Sequence, residues 1–390
     1  MKSIRERVSS DAPVIWVHCS SVGEFEQARP VIEWYRREKP QYKILLTFFS
    51  PSGYELRKNY NLADWVFYLP VDTTRNAKEF LDIVKPVKAI FIKYEFWYNY
   101  LTELSKRGID TYIVAAIFRP TQAFFKPYGG FFRKMLKCFT KIFVQDQPSA
   151  ALLAGIGFCD NVIICGDTRF DRVNEITANS GNFPIIEAFV QDSATLVAGS
   201  SWAPDEEIIA KVVKNFPRTK VVVAPHEIGK ERIAQVESIF AGYKILRYSE
   251  LQKFAGGESA ALPDSLLASL KEANVLIIDS LGILSSVYKY GKFAYIGGGF
   301  GVGIHNILEA ATYGCPVIFG PNYRKFKEAH DLLALGGATS VKNMQEFYSL
   351  FNTLVNIPDV TKQKGKACRE YVESNLGATL KVVSHIEKLK

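Results

Sequence analysis

Short apolar runs rich in β-branched and aromatic residues alternate with helix-length amphipathic stretches from one end of the chain to the other. That rhythm is the pattern of βαβ units around parallel sheets. In the first half it predicts strands at Val14–Cys19, Ile44–Phe49, Trp65–Leu69, Ala89–Tyr94, Tyr112–Ile117, Ile142–Gln145 and Val162–Cys165. Helical stretches such as Phe25–Arg37 and Asn76–Val84 lie between them. A polar, aperiodic passage from Asp171 to Asp192 breaks the rhythm and reads as a linker. The pattern then restarts with strands at Thr195–Ala198, Lys220–Ala224, Lys244–Arg247, Val275–Ile278, Phe293–Ile296 and Pro316–Phe319. The reading is therefore a first domain over residues 1–171, a linker over 172–192 and a second domain over 193–360. A closing helical segment over 361–390 is expected to pack back toward the first domain. Two successive doubly wound domains imply a cleft between them, with ligands at the carboxyl ends of both sheets.

Composition narrows this picture. The chain has 390 residues, long enough for two domains, and its 48% hydrophobic and 23% charged residues are those of a globular protein. No apolar stretch reaches the roughly 18 residues that a membrane-spanning helix needs, and Met1–Arg7 lacks the apolar core of a signal peptide. The six cysteines form no CxxC or Cys/His metal spacing, which favours buried free thiols in a reducing cytosol and no metal site. A net charge of +8 favours an anionic partner such as a phosphate, nucleotide, acidic lipid or nucleic acid. Many soluble enzymes carry a similar excess without using it.

The strongest local feature runs from Phe293 through Gly297, Gly298, Gly299, Gly301 and Gly303 to His305, Asn306 and Glu309: a buried strand, a glycine-rich turn, then a helix. Glycines allow positive φ and close approach of backbone to ligand, and a helix start offers free N–H groups to a phosphate. With the helix beginning near His305, that residue and Glu309 would share a face, and Glu309 could take hydrogen bonds from a ribose. A dinucleotide fingerprint would need a glycine at Val302, Ile304 or Asn306, and none is there. A tight turn with no ligand is the bland alternative.

Four further stretches carry candidate chemistry. In Ser20-Ser21-Val22-Gly23-Glu24 the small residues suit a loop facing a ligand, and Glu24, at a helix start, is expected to be ionised and able to act as a base. Simple capping of the helix explains Glu24 as well. In Lys93-Tyr94-Glu95-Phe96-Trp97-Tyr98-Asn99 a carboxylate stands among bulky aromatics, which suits a sugar or merely a core. His226, after the strand Lys220–Ala224, could contact a phosphate, although a lone histidine is more often structural. Between Phe124 and Lys137, aromatics mix with Lys126, Arg133, Lys134 and Lys137, a combination that suits an anionic membrane surface or a one-sided buried helix. No nucleic-acid-binding signature accompanies it, so no nucleic-acid partner is expected.

Ser20-Ser21-Val22-Gly23-Glu24, Glu95-Phe96-Trp97-Tyr98-Asn99, Gly166-Asp167-Thr168-Arg169-Phe170-Asp171, Gly303-Ile304-His305-Asn306-Ile307-Leu308-Glu309-Ala310 and Gly314-Cys315-Pro316-Val317-Ile318-Phe319-Gly320-Pro321 occur in order along almost the whole chain. Together they resemble the 3-deoxy-D-manno-octulosonic acid (Kdo) transferases of lipopolysaccharide synthesis. The resemblance implies a GT-B fold, two Rossmann-like doubly wound domains facing an interdomain cleft. It also implies an inverting, metal-independent transfer of Kdo from CMP-Kdo to a lipid A precursor (lipid IVA), with no cofactor. Glu24 matches the family's general base, Glu95 a second acidic position, and Ser20, Ser21 and Gly23 the acceptor side. His226, Gly299, Gly301, Gly303, His305, Asn306 and Glu309 match the nucleotide-sugar side. The implied place of work is the cytoplasmic face of the bacterial inner membrane. The family's apolar N-terminal helix is lacking, so peripheral attachment is expected. Pro225 stands where members carry an arginine, and Lys93 and Asp167 depart from the family pattern, so no role passes to those two. A different GT-B enzyme acting on a UDP-sugar, whether transferase or epimerase, is the competing reading, followed by a non-catalytic anionic-lipid-binding protein.

Overall fold

A computed structural model of the protein describes residues 1–8, 11–254 and 262–388, so the last two residues of the closing segment lie outside the described residues. The chain divides into two compact units, Met1–Arg172 with Asn375–Lys390, and Val173–Ser374.

The first unit is built on β1 (Val14–Cys19), β2 (Lys43–Phe48), β3 (Trp65–Tyr68), β4 (Pro86–Ile92), β5 (Asp110–Ala116), β6 (Lys141–Val144) and β7 (Val162–Ile164). Its strand order is β3-β2-β1-β4-β5-β6-β7, and every pairing is parallel. All six residues of β1 are buried, as expected for a strand covered by helices on both faces. Successive residues point to opposite faces. Trp16 therefore packs with Phe80, Phe91 and Tyr100, while Ile15, Val17 and Cys19 join the helix Val22–Glu38 and the C-terminal residues Val382, Val383 and Ile386.

The second unit repeats the plan with β8 (Ala194–Ser201), β9 (Thr219–Pro225), β10 (Ile245–Arg247), β11 (Val275–Ile277), β12 (Phe293–Ile296), β13 (Val317–Phe319) and β14 (Ala338–Ser340). The order is β10-β11-β9-β8-β12-β13-β14, again parallel throughout. Each predicted strand is present with ends moved by a few residues, and β14, too short to stand out in the pattern, is additional.

Three expectations need correction. The passage read as a linker over 172–192 folds as the helices Arg169–Ala178 and Pro184–Val190, because Ile185, Ile186, Phe189 and Val190 are buried apolar anchors within a polar surround. The closing segment is two helices, Pro358–Ser374 and Ala378–Glu387, broken at Gly377, whose φ of 94° is left-handed. Asp171 accepts hydrogen bonds from the Gly377 and Thr379 N–H groups at 2.6 Å each, fastening the second of these helices within the first unit. The third correction, to the helix expected near His305, belongs to the site below.

Candidate active site

In each sheet the strand order reverses between two neighbours, β1 and β4 in one unit, β8 and β12 in the other. Connections leave to opposite sides at such a point, opening a crevice at the carboxyl ends of the strands where α/β proteins bind ligands. The Ser20–Glu24 stretch follows β1, Lys93–Trp97 follows β4, and Gly297–Gly303 follows β12.

In the first unit, Ser21 is the N-cap of the helix Val22–Glu38, and Glu24 returns its carboxylate to the cap. Glu24 Oε2 accepts from the Ser21 N–H at 3.0 Å and from the Ser21 hydroxyl. This capping box satisfies helix donors that would otherwise be unpaired. Glu24 is thus both a cap and a half-buried carboxylate at the switch point; both contacts fall on Oε2. Ser20 contributes its carbonyl, which accepts from Ser50 N–H at 2.8 Å. A Cβ added at the exposed Gly23 would meet only Ser21 Oγ at 3.7 Å, so nothing within the chain demands a glycine there.

Glu95 is 7% exposed and its Oε2 accepts from Trp97 Nε1–H at 2.6 Å and lies 3.1 Å from His18 Nε2. The other ring nitrogen, His18 Nδ1, is 2.9 Å from Thr47 Oγ1, which also accepts from Trp16 Nε1–H at 2.8 Å. Thr47 Oγ1 also lies 3.5 Å from the Val17 carbonyl oxygen, to which it can donate; a carboxylate oxygen only accepts, so the contact to Glu95 is made by the His18 Nε2–H. The Glu95 carboxylate is thus held between Trp97 Nε1 and His18 Nε2 in a buried site. Sequence reasoning passed over His18 and Thr47. The available signal was a histidine in a strand whose other residues are apolar apart from Cys19. Beneath the site, burial first and then the charges of Glu24, Glu95 and Glu26 push the Cys19 thiol well up, which makes it an inert packing residue and places both carboxylates near it.

The basic-aromatic stretch divides. Lys134 and Lys137 are exposed and Lys126 half-buried, whereas Arg133 is turned inward, donating from a terminal guanidinium nitrogen to the Lys126 carbonyl at 3.0 Å. Arg133 therefore fastens its loop rather than standing free as a surface cation. Phe131 and Tyr128 are 50% and 72% exposed, and Phe131 stacks on Tyr98 with ring centroids 4.7 Å apart.

In the second unit the glycine turn is more specific than its sequence suggests. A Cβ at Gly297 would lie 2.2 Å from the Ser200 carbonyl oxygen, and one at Gly299 2.5 Å from the Gly320 nitrogen. Gly298 and Gly303 have φ of 89° and 119°, both left-handed. These glycines pack the turn against its own sheet. Gly299 packs closely against Gly320, while Gly301 is exposed and a Cβ there would meet only the Gly298 carbonyl oxygen at 3.9 Å. The helix expected at His305 is only Leu308–Thr312, because Asn306 Oδ1 caps the Leu308 N–H at 3.1 Å. His305 and Asn306 lie in the preceding loop, so His305 and Glu309 do not share a helical face. Asn306 instead donates its side-chain amide to Glu309 Oε1 at 3.0 Å.

His305 stacks on His226 with ring centroids 4.3 Å apart at 22°, and His226 stacks in turn on Trp202 at 5.0 Å. Burial first, and then the neighbouring His226, push the His305 imidazole down to about 4. The ring is neutral at pH 7 and offers a hydrogen bond, not a charge. Trp202 Nε1–H points at its Nε2 from 3.3 Å, leaving the proton on Nδ1. Beneath lies Asp205, 1% exposed, accepting from the Gly298 and Trp202 N–H groups at 2.9 and 3.0 Å and from the Tyr295 hydroxyl at 2.9 Å. Beside the turn, a cavity of about 260 Å³ is lined by Ser200, Ser285, Tyr288, Asn306 and Glu309, with Gly282 and Leu284. Sequence reasoning passed over Ser200 and Trp202 at the end of β8, Asp205 in the first turn of the helix Ala203–Val213, and Ser285 in the helix Leu284–Val287; only the strand-end position of the first two gave a hint.

Two parallel, Rossmann-like halves with ligand-type turns at both switch points define the GT-B architecture. Solved structures of UDP-GlcNAc 2-epimerase from Neisseria meningitidis (TM-score 0.65, 16% identity, 96% of this chain and 100% of that one) and of MurG from Acinetobacter baumannii (0.59, 11%, 97% and 100%) share it. Within that class the sequence is more particular. Residues 2–172 match the family model described as 3-Deoxy-D-manno-octulosonic-acid transferase (kdotransferase). The curated 3-deoxy-D-manno-octulosonic acid transferase of Aquifex aeolicus is 27% identical over 93% of this chain and 92% of its own length. Those of Rickettsia typhi and Chlamydia trachomatis serovar D are 24% and 26% identical over 96% and 80% of this chain, and 77% and 71% of theirs. Over most of its length the chain is thus similar to the Kdo transferases, a family of glycosyltransferases.

Proposed function

We propose that this enzyme transfers Kdo from CMP-Kdo to a lipid A precursor by direct, inverting, metal-independent displacement. The observation that carries this reading is a carboxylate at the β1 switch point, Glu24, whose two hydrogen bonds to its helix cap both fall on Oε2. A half-buried carboxylate in that position is suited to take the proton of an attacking sugar hydroxyl. Glu95, buried and held by His18 and Trp97, orients the acceptor and shapes the charge around it. Ser20, Ser21 and the open Gly23 line its approach, with room that no side chain of the protein fills at position 23.

The nucleotide side is the second unit. Neutral His305, stacked on His226, offers a hydrogen bond to a phosphate oxygen, and the exposed Gly301 turn lets it approach. Glu309, oriented by Asn306 on the wall of the small cavity, receives the ribose hydroxyls. The phosphate of CMP leaves already ionised, so no protein acid is required and one base suffices for inversion.

Among the described residues no helix is long and apolar enough to cross a membrane. Attachment to the cytoplasmic face of the inner membrane is proposed through the exposed Lys134, Lys137, Tyr128 and Phe131, which combine cations with aromatic rings.

The test is CMP release from CMP-Kdo with lipid IVA, with mass spectrometry of the product, in the presence of EDTA. A Kdo adduct formed by the wild type and absent from Glu24→Gln supports the reading. Turnover by Glu24→Gln at the wild-type rate removes the base assignment. Stabilisation by UDP but not by CMP in thermal unfolding removes the donor assignment.

A further inference from the structure

The switch-point turns lie at the carboxyl ends of β8 and β12. A further cavity of the second unit lies at the other end of the same sheet. Its wall includes Ala194 and Phe293, the first residues of β8 and β12. The seven residue steps of β8 put the two ends about 23 Å apart at ~3.3 Å per residue. The cavity has a volume of about 590 Å³, well within the range of small-molecule sites.

Its chemistry is one-sided. The cations lining it are Lys292, Lys362, Lys366 and Arg369, and no carboxylate lines it. Lys292, Lys362, Lys366 and Arg369 are all exposed. Lys366 pairs with Glu370 at 3.6 Å on the surface of the helix Pro358–Ser374, a contact that solvent screens. Below the cations the wall is apolar, formed by Ala194, Phe293, Leu354, Val355 and Pro358.

The floor is built for close approach. A Cβ at Gly365 would lie 2.2 Å from the Gly314 carbonyl oxygen, and one at Gly314, whose φ is 73°, 3.1 Å from the Arg369 guanidinium. That packing brings the helix against the sheet end and holds Arg369 over the Gly314 turn, where it also donates to the Tyr313 carbonyl at 3.2 Å. A second cavity shares Ala194, Lys292 and Val355 with the first and adds Arg218, Lys220 and Lys271 beside a single carboxylate, Asp192, so cations outnumber acids along this end of the sheet.

Cations above an apolar wall suit a ligand with an anionic head and a hydrocarbon body. A bare phosphate would leave the wall wetted, and a neutral lipid would leave the cations unanswered. We infer that this cavity is a second binding site, distinct from the nucleotide turn, for an anionic amphiphile: a phosphorylated or carboxylated head held by Lys362, Lys366 and Arg369, with its chain against Phe293, Leu354 and Val355.

The experiment titrates the full chain with octyl phosphate, octyl glucoside and inorganic phosphate, with and without saturating CMP, by calorimetry. Octyl phosphate binds at least tenfold more tightly than either control, CMP leaves that affinity unchanged, and Lys362→Glu/Lys366→Glu lowers it at least tenfold. Lys362→Gln/Lys366→Gln reads the same effect if the double reversal fails to fold. The inference is overturned if octyl phosphate matches either control, if CMP displaces it, or if a folded double variant keeps wild-type affinity.

Discussion

His18 Nε2 stands 3.1 Å from Glu95 Oε2, and the Thr47 hydroxyl stands 2.9 Å from the opposite ring nitrogen, so the imidazole is held from both sides. A strand residue thereby positions a carboxylate presented by the loop after the neighbouring strand. His18→Phe keeps an aromatic ring beneath Trp97 but removes the donor to Glu95. A hydrogen bond to a charged group contributes about 1.5–3 kcal/mol. The expected result is a kcat at least tenfold lower, with KM for the nucleotide sugar unchanged because the proposed nucleotide side is built by the other unit, measured by CMP release. A rise in that KM with unaltered kcat contradicts the positioning role.

The helix-capping duty of Glu24 and the base role proposed for it can be separated. Gln at the third helical position preserves a capping box, so Glu24→Gln should leave the unfolding free energy within about 0.5 kcal/mol of wild type while abolishing transfer. Glu24→Ala loses the cap as well and should cost about 1 kcal/mol in addition. Denaturant unfolding of both variants beside their turnover distinguishes the duties. Equal stability of the two would mean that the carboxylate contact to Ser21 contributes nothing.

The histidine stack predicts a pH dependence with a definite sign. The His305 imidazole is down to about 4 in the folded chain, against an ordinary value near ~6.5. The unfolded chain therefore binds the proton first as pH falls. Stability is fully present above about 6.5 and is lost as pH drops from there through about 4. Thermal unfolding between those values should fall less steeply in His305→Gln than in wild type; parallel curves would contradict the assignment.

Asp205 gathers the turn from below. Asp205→Ala leaves the Gly298 and Trp202 N–H groups and the Tyr295 hydroxyl without their shared acceptor. At roughly 1–3 kcal/mol per buried unsatisfied group, the loss should reach at least ~3 kcal/mol, and CMP stabilisation should weaken with it. Chemical denaturation with and without CMP reads both. An unchanged midpoint would show that the turn is held by its glycine packing alone.

Arg133 and its two lysine neighbours should behave differently. Lys134→Glu/Lys137→Glu is expected to reduce binding to vesicles containing anionic lipid without changing stability, since both side chains are exposed. Arg133→Ala is expected to destabilise the loop by removing its bond to the Lys126 carbonyl. Co-sedimentation and thermal unfolding of the two variants check the division. A stable Arg133→Ala that loses vesicle binding would reverse it.

The alternation of apolar runs such as Val14–Cys19 and Phe293–Ile296 with amphipathic segments was enough to establish parallel sheets, because strands buried on both faces must be apolar throughout. Residue type and order were also enough to mark Glu24, Glu95 and the glycine turn, since small residues and carboxylates at strand ends leave a local trace. What sequence could not supply was pairing at a distance. That Trp16, Thr47, His18 and Glu95 form one chain of hydrogen bonds depends on the lateral order β2-β1-β4, which no local pattern encodes. The same holds for the stack of Trp202, His226 and His305, drawn from turns after β8, β9 and β12. Local competition also escaped the pattern: Asn306 caps Leu308 and delays the helix past His305, and the apolar anchors Ile185, Ile186, Phe189 and Val190 turn an apparent linker into structure. Secondary structure follows from neighbours along the chain; the site follows from which strands lie side by side, and only the packed sheets decide that.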